Sequence, residues 1–250
     1  MNKVIKIFTG ILVVMLPVGI IMMLSGEGGK QYLWTTNIFL GLQAAITFMF
    51  LKEAAETKSS VIFCALILIL SFAAELIGVK TGFPFGLYSY TDVLRPALFG
   101  VPLAMPFTWF TIAVNVFLIS QFILFDLNKF KIIIVSSFII LAIDFMLEPF
   151  ASSVNGFWIW AGGKIPFQNY ISWFVIGFSF SFLLERFIIW NRNFFENINF
   201  IAIPALIITL NILQFIIVDL YYGYIMGVVA GVVLLVPFIL LSIKFRTHEV

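Results

Sequence analysis

The sequence predicts an all-α, polytopic transmembrane helical bundle, and three observations carry that prediction. Hydrophobic residues make up 62% of the 250-residue chain and charged residues only 10%, whereas charges are roughly a quarter of a soluble domain. The apolar residues fall into runs of about 20, the length a helix needs to cross a bilayer. Most charged residues sit at the ends of those runs or in short connections. No repeat, low-complexity tract or linker divides the chain, so residues 1–250 read as a single membrane domain.

Eight spans are expected, at about 4–24, 33–51, 60–79, 103–124, 132–148, 171–190, 198–218 and 224–243. The first follows Lys3 and Lys6 like a signal peptide. Its apolar stretch is longer than the ~7–15 residues of a signal core and no small-x-small cleavage site follows, so it reads as a retained helix. The third carries Cys64, the single cysteine, which reads as a small buried hydrophobe; no disulfide can form within the chain. The seventh and eighth are separated only by a polar turn around Asp219–Tyr222, which leaves open a seven-span alternative with one re-entrant segment. With eight spans, one face collects Lys3, Lys6, Lys52, Lys58, Lys129, Lys131, Arg186, Arg192, Lys244 and Arg246. The other holds only Lys30, Lys80, Arg95 and Lys164. The positive-inside rule then places both termini in the cytoplasm.

Two connections, 80–102 and 149–170, are longer than the topology needs and dense in Gly, Pro, Tyr and Trp. Loops of this length are usually functional or disordered, and the aromatic content argues against disorder. Both fall on the weakly positive face and read as a lid.

Three acids sit inside the spans. Glu75 ends the run Val61–Ala74; Asp144 and Glu148 end the run Ile132–Ile143. An intramembrane carboxylate costs several kcal/mol unless it is paired, protonated or faces a wet cavity, so such residues are functional candidates. Counted along their helices at 1.5 Å per residue, all three lie ~18–24 Å from the cytoplasmic end, beneath the two long loops. Asp144 and Glu148, spaced i, i+4, share a helix face. Two carboxyls so close in low dielectric do not both ionise, so the pair is expected to retain a proton. That is what a general acid acting on a weak base such as an alkene requires. The bland alternative is that the acids bond backbone, Arg95, Asn115 or Asn169 and only join helices. Tyr88, Tyr90, Trp109, Trp158, Trp160, Tyr170 and Trp173 lie close in sequence to the acids. They read either as interfacial anchors or as π-faces able to stabilise a cation.

Several chemistries are disfavoured by residue type. The only histidine is His248, against di-iron or haem ligation. No Cys–His or Ser–His pair, glycine-rich nucleotide loop, or mid-span lysine for a Schiff base is present. No metal and no cofactor are expected, and no basic stripe suggests nucleic acid. The Asp144-x-x-x-Glu148 spacing resembles an aspartate-rich motif of membrane prenyltransferases, but the second acidic cluster such enzymes use is missing.

The stretch Glu75-Leu-Ile-Gly78-Val-Lys-Thr81-Gly82-Phe-Pro84-Phe85-Gly86-Leu-Tyr88-Ser-Tyr90 is followed by Gly100-Val-Pro102, Pro106 and Trp109. Asp144, Glu148-Pro149, Trp158-Ile-Trp160, Pro166, Asn169 and Trp173 come next. This order resembles the integral-membrane carotenoid biosynthesis proteins that include the γ-carotene 1′-hydratase and the bisanhydrobacterioruberin hydratase. The resemblance covers roughly 60–190. Two departures are Glu148-Pro149, where Asp-Pro is common, and Asn169-Tyr170, where an aromatic follows the asparagine in similar proteins.

The resemblance implies hydration of the terminal double bond of a linear (ψ) carotenoid end. Asp144 or Glu148 would donate the proton, and Glu75 would orient the water or take its proton. Tyr88, Trp109, Trp158 and Trp160 would face the cation, with Tyr90, Asn169 and Trp173 completing the substrate site. The Gly82, Pro84 and Gly86 loop would shape the pocket mouth. The implied partners are a carotenoid, water, the lipid bilayer and other enzymes of carotenoid synthesis, in a bacterial cytoplasmic membrane. Acidic residues do not exceed basic ones, and Ile, Phe, Asn and Lys are plentiful. That composition tilts the substrate toward a C40 carotenoid such as γ-carotene or lycopene. A membrane cyclase or prenyltransferase, and a proton-coupled lipid transporter using the acids as a relay, are the competing readings.

Overall fold

The computed structural model describes residues 3–26, 31–124, 128–191 and 201–248, the last with side chains as far as Val236. Among these residues eight helices form: α1 (Lys3–Leu24), α2 (Thr35–Ala54), α3 (Thr57–Thr81), α4 (Ala104–Ile123), α5 (Lys129–Glu148), α6 (Phe167–Phe187), α7 (Ala202–Tyr222) and α8 (Ile225–His248). A π-helical turn, Pro149–Val154, extends α5. Six of the eight, α1 and α3 to α7, are long and apolar enough to cross a membrane. α2 has the length but is diluted by Thr35, Thr36, Asn37 and Gln43. The eight helices coincide with the eight expected segments, and the protein is an integral-membrane α-helical bundle.

Two boundaries differ from the sequence reading. The α7–α8 break falls at Gly223, in the left-handed conformation (φ 82°), and not at Asp219–Tyr222. Asp219 therefore sits inside α7, fully buried, with neither carboxyl oxygen hydrogen-bonded among the described residues. α6 begins directly after Pro166, four residues earlier than expected, which puts Asn169 in its first turn. A proline suits the position just ahead of a helix because it cannot donate into the first turn anyway.

α4 is the central helix. From Trp109 to Ser120 every residue is buried, and α4 contacts α2, α3, α5, α6 and α7. A helix apolar all round has no solvent face to keep and settles in the middle of the bundle. Small residues set the closest helix contacts, as membrane bundles require. A Cβ at Gly177 of α6 would lie 3.1 Å from Ile140 of α5, and one at Gly227 of α8 would overlap Asp219 Oδ2 of α7. Gly227→Ala is thus expected to destabilise the α7–α8 hairpin by about 1–3 kcal/mol, read as a lower unfolding midpoint of the detergent-solubilised protein.

The bundle has two chemically distinct ends. At one, Glu56 N donates to Ile189 O (2.8 Å) and Asn191 N to Ala54 O (2.9 Å), and Lys129 pairs with Glu185. Lys52, Lys58, Lys131 and Arg186 flank these contacts. Lys30 and Arg192 lie outside the described residues, as do the side chains of Lys244 and Arg246.

The opposite end is closed by the two long connections, the expected lid, and they are paired with each other as short strands. β1 (Tyr88–Tyr90) and β4 (Trp158–Trp160) form an antiparallel ribbon with Tyr88 opposite Trp160 and Tyr90 opposite Trp158. Thr91 N donates to Phe157 O and Ala161 N to Leu87 O, 3.0 Å each, so the pairing continues past both strand ends. A smaller hairpin, β2 (Ala97–Leu98) and β3 (Val101–Pro102), turns at Phe99 and Gly100, both with positive φ. Because side chains alternate along a strand, Tyr88, Tyr90, Trp158 and Trp160 all point down into the bundle. Ser89 and Ile159 point away, Ile159 being 59% exposed.

Candidate active site

α3 delivers Glu75 to the underside of this ribbon. The helix ends at Gly82, whose amide donates to Gly78 O (2.8 Å). Gly78 lies one turn earlier, where a Cβ would sit 2.8 Å from both Phe85 Cδ2 and Tyr88 Oη. Only glycine at 78 lets β1 descend onto the helix. The loop to β1 is held against α6: Gln168 Nε2 and Ser172 Oγ donate to Pro84 O at 2.7 and 2.6 Å. At Gly86 φ is +112°, and a Cβ would approach Pro166 Cγ to 2.6 Å.

Glu75 is 4% exposed and accepts three hydrogen bonds. Tyr88 Oη and Tyr90 Oη donate to Oε2 at 2.6 and 2.8 Å, and Trp109 Nε1 donates to Oε1 at 3.0 Å. Glu148, 1% exposed, is served in the same way. Trp160 Nε1 and Trp158 Nε1 donate to Oε2 at 2.9 and 3.3 Å, and Asn169 Nδ2 donates to Oε1 at 3.1 Å. The same Asn169 nitrogen donates to Asp144 Oδ2 at 2.9 Å. Asp144 is fully buried and its Oδ1 has no partner among the described residues. Trp173 packs on Trp109 with ring centroids 4.2 Å apart.

The two glutamates face a common cavity, lined also by Tyr88, Tyr90, Trp158, Trp160, Asn169 and Trp173. Its volume is about 20 Å³; since a water needs roughly 10–15 Å³ of such space, it admits about one. The structure thus gathers Glu75, Glu148, Tyr88, Tyr90, Trp158, Trp160, Asn169 and Trp173 around one space. Trp109 and Asp144 stand immediately behind, each bonded to it through a side chain. Phe85 and Met105 complete the lining. Neither stands out in a chain with 31 phenylalanines and 8 methionines.

Three residues considered for this site lie elsewhere. Arg95 is exposed and paired with Asp92 (2.7 Å). Asn115 donates to Thr47 Oγ1 and Thr111 O, 2.8 Å each. Tyr170 stacks on Phe145 (4.3 Å), beside the site and not in it.

Burial, with the Glu75 carboxylate beside them, pushes the Tyr88 and Tyr90 hydroxyls well above the ordinary tyrosine value of 10.0. Both stay neutral donors in the native state, whereas the unfolded chain ionises them near pH 10. A raised native value means their stabilisation is complete below about pH 10 and is lost as pH rises beyond it. The unfolding midpoint is expected to fall above pH 10, and less steeply in Tyr88→Phe; spectrophotometric titration should find two phenols silent until the protein unfolds.

Six neutral donors on two buried carboxyls make a polar site without a fixed positive charge. Among the described residues no three His, Cys, Asp or Glu side chains are placed to hold a metal ion.

No solved structure matches the chain. It is 32% identical over 113 residues to the bisanhydrobacterioruberin hydratase of Haloarcula japonica, a match covering 43% of this chain and 38% of that protein. Residues 35–238, which hold every side chain of the site, match the family described as carotenoid biosynthesis protein. On that match over most of its length, the chain belongs to the carotenoid biosynthesis protein family.

Proposed function

We propose that this protein is a carotenoid hydratase that adds water across the terminal 1,2 double bond of a linear ψ-end carotenoid. γ-Carotene and lycopene are the candidate substrates, and a tertiary 1-hydroxy carotenoid is the product. One observation carries the reading: two buried glutamates, each with its own donors, face a one-water cavity walled by aromatic rings.

Proton transfer from Glu148 to the less substituted alkene carbon breaks the π bond and leaves a tertiary cation. The ring faces of Tyr88, Tyr90, Trp158 and Trp160 stabilise that cation. Their hydroxyl and indole hydrogens are held by the carboxyl groups of Glu75 and Glu148, which fixes the rings in place. Water held by Glu75 forms the C–O bond and loses a proton to Glu75. Return of this proton across the shared cavity to Glu148 restores the starting state, so alkene and water give alcohol with nothing left over. Asp144 acts through Asn169: by accepting one hydrogen of its amide, it holds the group that donates to Glu148 in place. The cation is the one a cyclase would form; a pocket sized for water at the carboxyl favours capture over ring closure. By the bias in basic residues, the roofed end faces away from the cytoplasm, in a bacterial cytoplasmic membrane.

The test is expression in a bacterial host that accumulates lycopene or γ-carotene, with product analysis by liquid chromatography and mass spectrometry. The expected result is a product one water heavier whose oxygen comes from ¹⁸O-labelled water. An isomer of unchanged mass would identify a cyclase, and unchanged carotenoid with proton-coupled lipid flux would identify a transporter.

A further inference from the structure

The 20 Å³ cavity at the acids is far too small for a carotenoid, so the rest of such a molecule must lie elsewhere. Two larger spaces adjoin it in a row. The first is a slot of about 60 Å³ enclosed by α2, α4, α5 and α7, which shares Met105 and Trp158 with the acid cavity. The second is a groove of about 180 Å³ between α1, α2 and α7, which shares Thr36, Phe39 and Gln214 with the slot. Its α1 wall is Val14, Met15, Val18, Gly19 and Met22. Val14 and Val18 are also exposed on the outer surface of α1, where lipid would lie.

The slot wall is chemically plain. Apolar side chains make most of it, among them Leu40, Ile112, Ile143, Leu147, Ile208 and Phe215. Its amides are largely satisfied by protein: Gln43 Nε2 donates to Asn211 Oδ1 (2.9 Å) and Asn211 Nδ2 returns to Gln43 Oε1 (3.0 Å), and Gln214 Nε2 points at Met23 Sδ (3.3 Å). The buried Thr111 Oγ1 has no partner among the described residues. From Thr36 to Gln43, and from Met105 to Ile112, the slot follows its helices for about 10 Å. The wall toward the acids is thin: Met105, an unbranched and adaptable side chain, and the Trp158 indole.

We infer that groove and slot form one lateral channel that takes a long, linear isoprenoid hydrocarbon from the lipid, between α1 and α2, and feeds its end past Met105 and Trp158 to the carboxyls. The channel rests on the hydration reading only for the identity of the end that reaches the acids. It selects against bulk and polarity along the chain: a ring fits at the far end, outside the groove, and not at the end that enters.

The test is binding of lycopene to the purified protein in nanodiscs, followed by the circular dichroism that an achiral polyene acquires inside a protein. Wild type and Glu148→Gln are both expected to induce the signal. Leu40→Trp, which fills the slot without touching the acids, should weaken binding at least tenfold, Leu40→Phe should fall between, and Leu40→Ala should bind as wild type. The graded series guards against a variant that fails to fold. No induced signal in wild type, or equal affinity along the series, overturns the inference and leaves the channel to acyl chains of bilayer lipid. Binding by wild type with no hydration of any carotenoid would overturn the hydration reading and leave the channel standing.

Discussion

Glu148→Gln is expected to lower hydration by roughly 10³-fold while leaving carotenoid binding intact. Positioned proton transfer contributes about 10²–10⁴ to a rate, and Glu148 is the member of the i, i+4 pair that lines the cavity. An amide keeps the shape and can still accept from the Trp158 and Trp160 indoles, so the loss should fall on turnover. Asp144→Asn is expected to cost less, about 10–100-fold, because Asp144 reaches the cavity only through Asn169 Nδ2. Rates of ¹⁸O incorporation in the two variants check the order; a larger loss in Asp144→Asn would make Asp144 the donor.

Gly86→Ala should be the most damaging change outside the acids. The backbone there has φ +112°, and a Cβ would press to within 2.6 Å of Pro166 Cγ. Backbone strain of this kind costs about 1–3 kcal/mol, and steric overlap adds to it. Relief requires β1 to move away from the start of α6, which pulls the Tyr88 and Tyr90 hydroxyls off Glu75. A lower unfolding midpoint is expected together with a loss of roughly 10²-fold in turnover. Gly162→Ala is the control: it lies in the same region, has no atom within 4 Å of an added Cβ and should behave as wild type.

Much of this was legible in the sequence because membrane solvation is blunt. Apolar runs of about 20 residues give helices, and acids inside them need a reason. The three carboxyls and the aromatics around them could be picked out for that reason. Their pairing could not. Tyr-Ser-Tyr and Trp-Ile-Trp each carry the period-2 alternation of a strand, but three residues in a loop say nothing of a partner some seventy positions away. Arg95 and Asn115 had the right chemistry for partnering an acid and the wrong place, since residue type does not report helix rotation. Asp219 reads as part of a polar turn until Gly223 is seen to make the break one turn later. Phe85, Met105 and the slot have no signature in a chain where nearly every residue is apolar.

The donor sets divide the site along the chain. Glu75 is served by Tyr88, Tyr90 and Trp109, all from the stretch up to α4, and Glu148 by Trp158, Trp160 and Asn169, all from the stretch after α5. No donor is shared between the two glutamates; the halves meet through the β1–β4 ribbon and ring contacts such as Tyr88 with Trp160 at 5.3 Å. Effects of substitutions within one donor set should therefore be more strongly coupled to each other than to those in the other set, with coupling between the halves carried by the ribbon, the ring contacts and the shared cavity. On the proposed mechanism, this division separates the adjustment of proton donation from the adjustment of water capture. A lineage keeping this roof can weaken the water-holding half while the protonating half stays intact, a short evolutionary route from one fate of the same cation to another.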